Sequence, residues 1–199
     1  MQIRCALVGM PGSGKTTVGR QLAHRLSVPF IDLDHWLERE IGGTIRDYFE
    51  QHGEASFRDL EAKTLAEVTQ RPGGMVLSTG GGAVLRSDNR EVLRHFGDVL
   101  YLRAAPEEIY KRVKHDRTRP LLQTGNPLLK LRELYAQRDP LYREAAQYII
   151  ETGRPSVAML VNMVMMQLEM AASARGCPPA VDPGALTARA APSEGDPGA

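Results

Sequence analysis

Gly9-Met10-Pro11-Gly12-Ser13-Gly14-Lys15-Thr16 has the spacing G-x-x-x-x-G-K-[ST] and follows directly on the apolar run Ile3 to Val8. A strand that ends in glycines and opens into a helix aims several backbone N–H groups and the positive end of a helix dipole at one point, which suits a triphosphate. Lys15 can reach the β- and γ-phosphates, and the Thr16 hydroxyl can ligate Mg²⁺. Gly12, Ser13, Gly14 and Thr17 complete the expected phosphate cradle.

Further groups able to do chemistry recur at the ends of other apolar runs. Ile31-Asp32-Leu33-Asp34 closes the second run with two carboxylates one residue apart. A strand persisting that far sends both side chains off on the same side, one toward Mg²⁺ and one toward a substrate hydroxyl. The other reading of Asp34 is an acidic cap on a helix beginning near His35-Trp36. The third run enters Gly80-Gly81-Gly82, which is either a close backbone approach to a ligand or a flexible turn. Lys111, Arg112, Lys114, Arg117 and Arg119 fall within nine residues, opposed by Asp116, and lead into Gly125-Asn126-Pro127. This punctuated basic loop is a candidate lid whose arginine neutralises a transferring phosphoryl group, or else a solvated cationic loop.

Positioning such groups requires a sheet with its carboxyl edge open. Strands fit at Ile3 to Val8, Phe30 to Leu33, Met75 to Thr79, Val99 to Arg103 and Tyr148 to Thr152, each nearly continuous in apolar residues. Between them run helical stripes: Val18, Leu22 and Leu26, then Phe57, Leu60, Thr64, Leu65 and Val68. A last helix is expected from Pro155 in its first turn, burying Val157, Leu160, Val161, Val164 and Leu168, with Met159, Met163, Met165, Met166 and Met170 as packing. The alternation predicts a doubly wound parallel α/β sheet.

The chain of 199 residues has room for one nucleotide-binding domain over 1–170, and the Ala-, Gly- and Pro-rich stretch 171–199 is expected to be a disordered tail. A net charge of +1 gives no general attraction to nucleic acid or to an anionic membrane. Cys5 in the first strand and Cys177 in the tail give no expected structural disulfide, which fits a reducing compartment. Neither a signal peptide nor a membrane span is expected.

Taken together, these segments resemble the shikimate kinases, from Ile3 to about Leu168. The resemblance rests on Gly9 to Thr16, Asp32-Leu33-Asp34, Phe57-Arg58-Asp59-Leu60-Glu61, Gly80-Gly81-Gly82-Ala83-Val84, and Arg119-Pro120-Leu121-Leu122 with Arg138-Asp139-Pro140-Leu141-Tyr142. The first motif is shared by many kinases; the others, in this order, are specific. The resemblance implies a P-loop kinase of the nucleoside-monophosphate-kinase type with a five-stranded parallel sheet, a substrate-binding lobe over about 34–61 and a lid over about 113–126. The implied reaction is ATP-dependent phosphorylation of the 3-hydroxyl of shikimate, on the route to chorismate and the aromatic amino acids.

Carried over by position, the resemblance places the shikimate carboxylate against Arg58 and Arg138, and ring hydroxyls against Asp34, Gly80 and Gly81. Two guanidiniums suit a carboxylate, and Glu61, one turn beyond Arg58, is placed to hold it. Lys15, Asp34 and Arg119 are the implied catalytic residues, Thr16 and Asp32 hold Mg²⁺, and Arg112 and Arg154 border the adenine. Arg58 and Arg138 are expected to keep Asp34 ionised. A cytoplasmic monomer is expected. Two alternatives stay open: another small-molecule kinase of gluconate type, and a ligand-binding module without turnover. Replacing Arg119 by alanine is expected to lower turnover by roughly 10²-fold or more, as for other phosphoryl-clamping arginines; single-turnover phosphate transfer by Arg119→Ala at the wild-type rate would remove it from the mechanism.

Overall fold

The computed structural model describes residues 3–114, 126–153 and 155–176. Arg119, Arg154, most of the expected lid and Cys177 lie outside these residues. Five parallel strands, β1 (Arg4–Val8), β2 (Phe30–Asp32), β3 (Met75–Ser78), β4 (Asp98–Arg103) and β5 (Tyr148–Glu151), pair in the order β2-β3-β1-β4-β5. The sequence placed all five. From the central β1 the chain winds outward to β2, returns through β3, then crosses to β4 and β5. Loops of both halves therefore meet at the carboxyl ends of β1, β3 and β4, where open α/β sheets bind ligands.

The period-two geometry of β1 divides the core. Cys5 and Leu7 face α1 (Lys15–Leu26) and α7 (Val157–Ala174), where Val18, Leu22, Leu160, Val161, Val164 and Leu168 are buried. Ala6 and Val8 face the opposite layer, formed by α2 (Leu33–Ile41), α3 (Ile45–Thr69), α4 (Ser87–Phe96), α5 (Pro106–Val113) and α6 (Pro127–Ala145). Burial on both faces explains why β1, β3 and β4 read as nearly unbroken apolar runs. Burial and the nearby Asp98 push the Cys5 thiol up to about 12, so it packs as a small apolar side chain.

Helix ends follow local chemistry. Thr44, Asn126 and Ser156 cap α3, α6 and α7, their side-chain oxygens accepting from the N–H groups of Asp47 (3.1 Å), Leu129 (3.1 Å) and Met159 (3.3 Å). Ser156 as cap leaves Pro155 outside α7, where the sequence had put it in the first turn. Gly53, at φ 78°, kinks α3 and folds Phe49 back onto Phe57, with ring centroids 4.5 Å apart. Phe57 joins the core of this layer, with Ile45 and Phe49 packed against it.

Three expectations change at the carboxyl terminus. Helix α7 continues through 171–174 with Ala171 buried, so the start of the expected tail is folded. Met159, Met163, Met166 and Met170 lie exposed along the outer face of α7, while Met165 packs against the core. The stripe escaped the sequence reading because five methionines on one helix cannot all face inward when Leu160, Val161, Val164 and Leu168 already do. By length and composition alone α7 is apolar enough to cross a membrane, a property the sequence reading did not note, and its inner face packs on α1 and β5.

Beyond α7, Arg175 grips Asp98 at the start of β4 through two parallel contacts of 2.8 and 2.9 Å. Asp98 is buried, so removing its partner leaves a carboxylate without its bidentate cation. Arg175→Ala is expected to lower unfolding free energy in urea by about 1–2 kcal/mol, discounted because Arg175 is half exposed. A variant with an unchanged urea midpoint would show the pair to be inconsequential.

Candidate active site

The loop after β1 wraps a cavity of about 590 Å³ that runs from Asp34 and Gly81 at one end to Arg112, Thr152, Pro155 and Val157 at the other. Gly12, Ser13, Gly14, Lys15, Thr16 and Thr17 line its middle, as the motif requires. Gly12 and Gly14 take φ of 84° and 101°, conformations that turn successive N–H groups inward and that side chains resist. Gly9 packs so closely on β4 that a Cβ there would come within 2.6 Å of the Leu102 carbonyl. Lys15, buried at the first position of α1, donates through Nζ to the carbonyls of Gly9 (2.9 Å) and Met10 (3.1 Å). The fully buried Ser13 hydroxyl has no hydrogen-bond partner among the described residues.

Asp32 and Asp34 stand where the sequence put them, by a different construction. The strand ends at Asp32, which caps α2 by accepting from the N–H of His35 at 3.5 Å, and Asp34 projects from the first turn of α2. Helical geometry, not strand alternation, separates the two roles. The Thr16 hydroxyl donates to Asp32 Oδ2 at 2.7 Å, so one hydroxyl and one carboxylate meet beside the phosphate loop. Such a pair suits Mg²⁺, a hard cation that keeps several waters and takes few protein oxygens when phosphates supply others.

The triple glycine proves to be a junction. A Cβ on Gly80 would lie 2.5 Å from Asp34 Oδ1 and 3.0 Å from Glu61 Oε1, and one on Gly81 would lie 2.6 Å from Pro11 of the phosphate loop. One on Gly82 would strike the Arg58 guanidinium. The glycines therefore answer a close approach by three other segments, α2, α3 and the phosphate loop, and the flexible-turn reading fails.

Arg58 is held by Glu61, one turn on, at 2.6 Å, as its spacing implied, and also by Glu54, one turn back, at 3.2 Å. Arg138 reaches the same corner from α6 and donates through Nη1 to the Gly81 carbonyl at 3.1 Å. Both arginines act electrostatically on Glu61 and on Tyr142, which places their charges together. Burial nonetheless raises the Glu61 pKa above the usual carboxylate range, with Arg58 opposing it. The sequence reading gave no role to Glu54 or to Tyr142; the i,i+4 spacings from Glu54 to Arg58 and from Arg138 to Tyr142 were the available signals.

Asp34 behaves differently from expectation. Burial pushes its pKa up to about 6; Lys15 opposes the shift, while Asp32, Glu61 and Glu38 add to it. The cation that holds it down is thus Lys15, not Arg58 or Arg138, which Glu61, Glu54 and Gly81 engage instead. Arg112, expected under the adenine, lines the far end of the cavity, tied to the Ser13 carbonyl (3.4 Å) and to the Thr152 carbonyl.

A family model described as shikimate kinase matches residues 11–169. The chain belongs to the shikimate kinase family. A shikimate kinase of Cupriavidus pinatubonensis is 60% identical over 82% of this chain and 85% of that one, and one of Paracidovorax citrulli is 55% identical over 85% and 94%. Among solved structures, a shikimate kinase from Acinetobacter baumannii in complex with shikimate aligns with a TM-score of 0.80 at 46% identity, over 86% of this chain and 94% of that one. A gluconokinase from Sinorhizobium meliloti, at 16% identity and a TM-score of 0.54, shares the fold alone.

In this shikimate kinase family member, the elevated Asp34 pKa has two measurable consequences. If the carboxylate form is required, kcat/KM should fall about tenfold per pH unit below about 6; a rate flat from pH 7 to about 5 would deny Asp34 that role. Because folding raises this pKa from 3.8, the acid form is favoured in the fold, so the group's relative stabilisation is full below the unfolded value and lost as pH rises through about 6. Asp34→Asn should therefore be inactive yet more stable at pH 7, on the order of 1–3 kcal/mol, with the gain fading toward about pH 4; urea melts at both pH values test this.

Proposed function

We propose that the chain transfers the γ-phosphoryl group of ATP to the 3-hydroxyl of shikimate, giving shikimate 3-phosphate and ADP, on the route to chorismate and the aromatic amino acids. The observation that carries this reading is the convergence of Asp34, Arg58 and Arg138 on Gly80–Gly82, at the end of a cavity whose wall is the phosphate loop. Two arginines at one corner suit a carboxylate, and a buried carboxylate a short way off suits a hydroxyl; an acceptor carrying both groups on one ring spans them.

The phosphate loop N–H groups and Lys15 bind the phosphates, with Lys15 exchanging its carbonyl partners for phosphate oxygens. The unpartnered Ser13 hydroxyl lies in this wall and offers a further donor. Arg112, Pro155 and Val157 form an adenine wall, a guanidinium plane with apolar neighbours. Thr16 and Asp32 would hold Mg²⁺, which when bound supplies charge neutralisation on the phosphates. Arg58 and Arg138 fix the carboxylate and so aim the 3-hydroxyl. Asp34, with a pKa of about 6, orients that hydroxyl and accepts its proton as the oxygen–phosphorus bond forms and the bond to the β-phosphate oxygen breaks. Arg119 and Lys15 stabilise the charge that spreads over the moving phosphoryl group. The protein acts as a cytoplasmic monomer.

Coupled ADP release with Mg·ATP, comparing shikimate, quinate, gluconate and no acceptor, tests the reading. Shikimate-selective turnover, abolished in Asp34→Asn, is expected. Turnover with gluconate in its place would undo the Arg58 and Arg138 assignment, and ATP binding without turnover on any acceptor would make the chain a binding module.

A further inference from the structure

Tyr142 is fully buried on α6, and its hydroxyl donates to the Gly81 carbonyl at 2.6 Å, a short contact for an O–H···O bond. Burial pushes its phenol up to about 12, so it stays a donor across the working pH range. The same carbonyl receives Arg138 Nη1 at 3.1 Å, so both acceptor sites of one oxygen are filled from successive turns of α6. The Tyr142 ring is braced from β4 by Tyr101, with centroids 4.9 Å apart. The Tyr101 hydroxyl in turn donates to Asp139 Oδ1 at 2.9 Å, and Asp139 Oδ2 holds Arg143 at 2.6 Å. Pro140, between these residues, has no N–H to give to the Ala136 carbonyl, so side-chain bonds carry more of the definition of this part of α6.

The Gly81 peptide lies between the two halves of the acceptor end. On one side Gly80 abuts Asp34 and Glu61; on the other Gly82 abuts Arg58. Whatever fixes the Gly81 carbonyl also fixes how far Arg138 can advance, and with it the span from the arginine pair to Asp34.

We infer that Tyr142 is a positioning residue for the acceptor: its hydroxyl holds the Gly81 carbonyl, shares that oxygen with Arg138, and so sets the distance between the carboxylate-binding arginines and Asp34. The inference rests on the proposed shikimate reaction. Without the hydroxyl, Arg138 is the remaining side-chain donor to the Gly81 carbonyl among the described residues and is drawn toward the peptide and away from a carboxylate. Tyr142 itself transfers no proton, and the nucleotide end of the cavity is untouched.

Steady-state kinetics of Tyr142→Phe, with shikimate and Mg·ATP varied separately, distinguish this role from others. The expected result is a KM for shikimate raised about 5- to 20-fold, a KM for ATP within about twofold of wild type, and kcat reduced by no more than about threefold, as loss of one buried hydrogen bond acting on ground-state binding predicts. Equal losses in kcat and kcat/KM at constant KM would make Tyr142 a participant in the chemical step and overturn the inference. So would a lowered Tm with unchanged kinetics, which a merely structural hydrogen bond predicts. If Tyr142→Phe does not fold, Tyr101→Phe releases the Asp139 brace and leaves the Tyr142 hydroxyl in place; a KM for shikimate raised about two- to fivefold supports the inference, and an unchanged one overturns it. Wild-type protein inactive on shikimate would fail the underlying reaction and the inference together, whereas active wild type with a normal Tyr142→Phe fails the inference alone.

Discussion

Crowded, partly buried charge is the constraint on which the site depends. Asp32 and Glu61 are brought close enough to act on Asp34, a placement that is costly unless each finds a donor or a cation. Thr16 and the His35 N–H answer Asp32, Arg58 answers Glu61, and Lys15 answers Asp34 in part. The incomplete answer at Asp34 matters most. Its carboxylate is left near the midpoint of its titration at mildly acid pH, where it can take a proton and give it up again, while Asp32 is engaged by the Thr16 hydroxyl and the His35 N–H. Two aspartates separated by one leucine acquire distinct chemistry from the partners the fold assigns them.

The fold was legible because β1, β3 and β4 are buried on both faces and so write themselves as apolar runs, and because the phosphate loop fixes where the first strand ends and the first helix begins. Site residues near those signals were legible too: Lys15, Thr16 and Asp32 follow from local spacing, and the Arg58–Glu61 pair from helical period. What stayed hidden depends on contacts between distant segments. Nothing in Asp32-Leu33-Asp34 tells that the strand stops one residue early and that Asp34 belongs to a helix. Nothing local tells that Lys15, nineteen positions away, is its main counter-cation. The role of Tyr142 required knowing that α6 packs its Arg138 face against a turn some sixty residues upstream. The methionines of α7 were misplaced for a related reason. Period identifies a helix with one buried stripe, but it does not say how wide that stripe is.

The architecture also divides labour between rigid and adjustable parts. In the proposed reaction, phosphate binding relies on backbone groups fixed by β1 and α1, with Gly9 against β4. Acceptor binding, in the same proposal, relies on side chains delivered by helices of the opposite layer: Asp34 from α2, Arg58 from the far side of the kink in α3, and Arg138 from α6. These helices share one core beneath the sheet, and their side chains are brought into register at one short turn after β3.

That turn limits how the protein can change over evolutionary time. A side chain at position 80 would expel the Asp34 carboxylate, one at 81 would press on Pro11 of the phosphate loop, and one at 82 would displace Arg58. Each of the three positions is closed by a different functional partner, so drift there damages a different part of the machine in each case. If the proposed acceptor site holds, a lineage that comes to use another acceptor must leave the turn alone and travel through the replaceable side chains around it, above all Arg58 and Arg138.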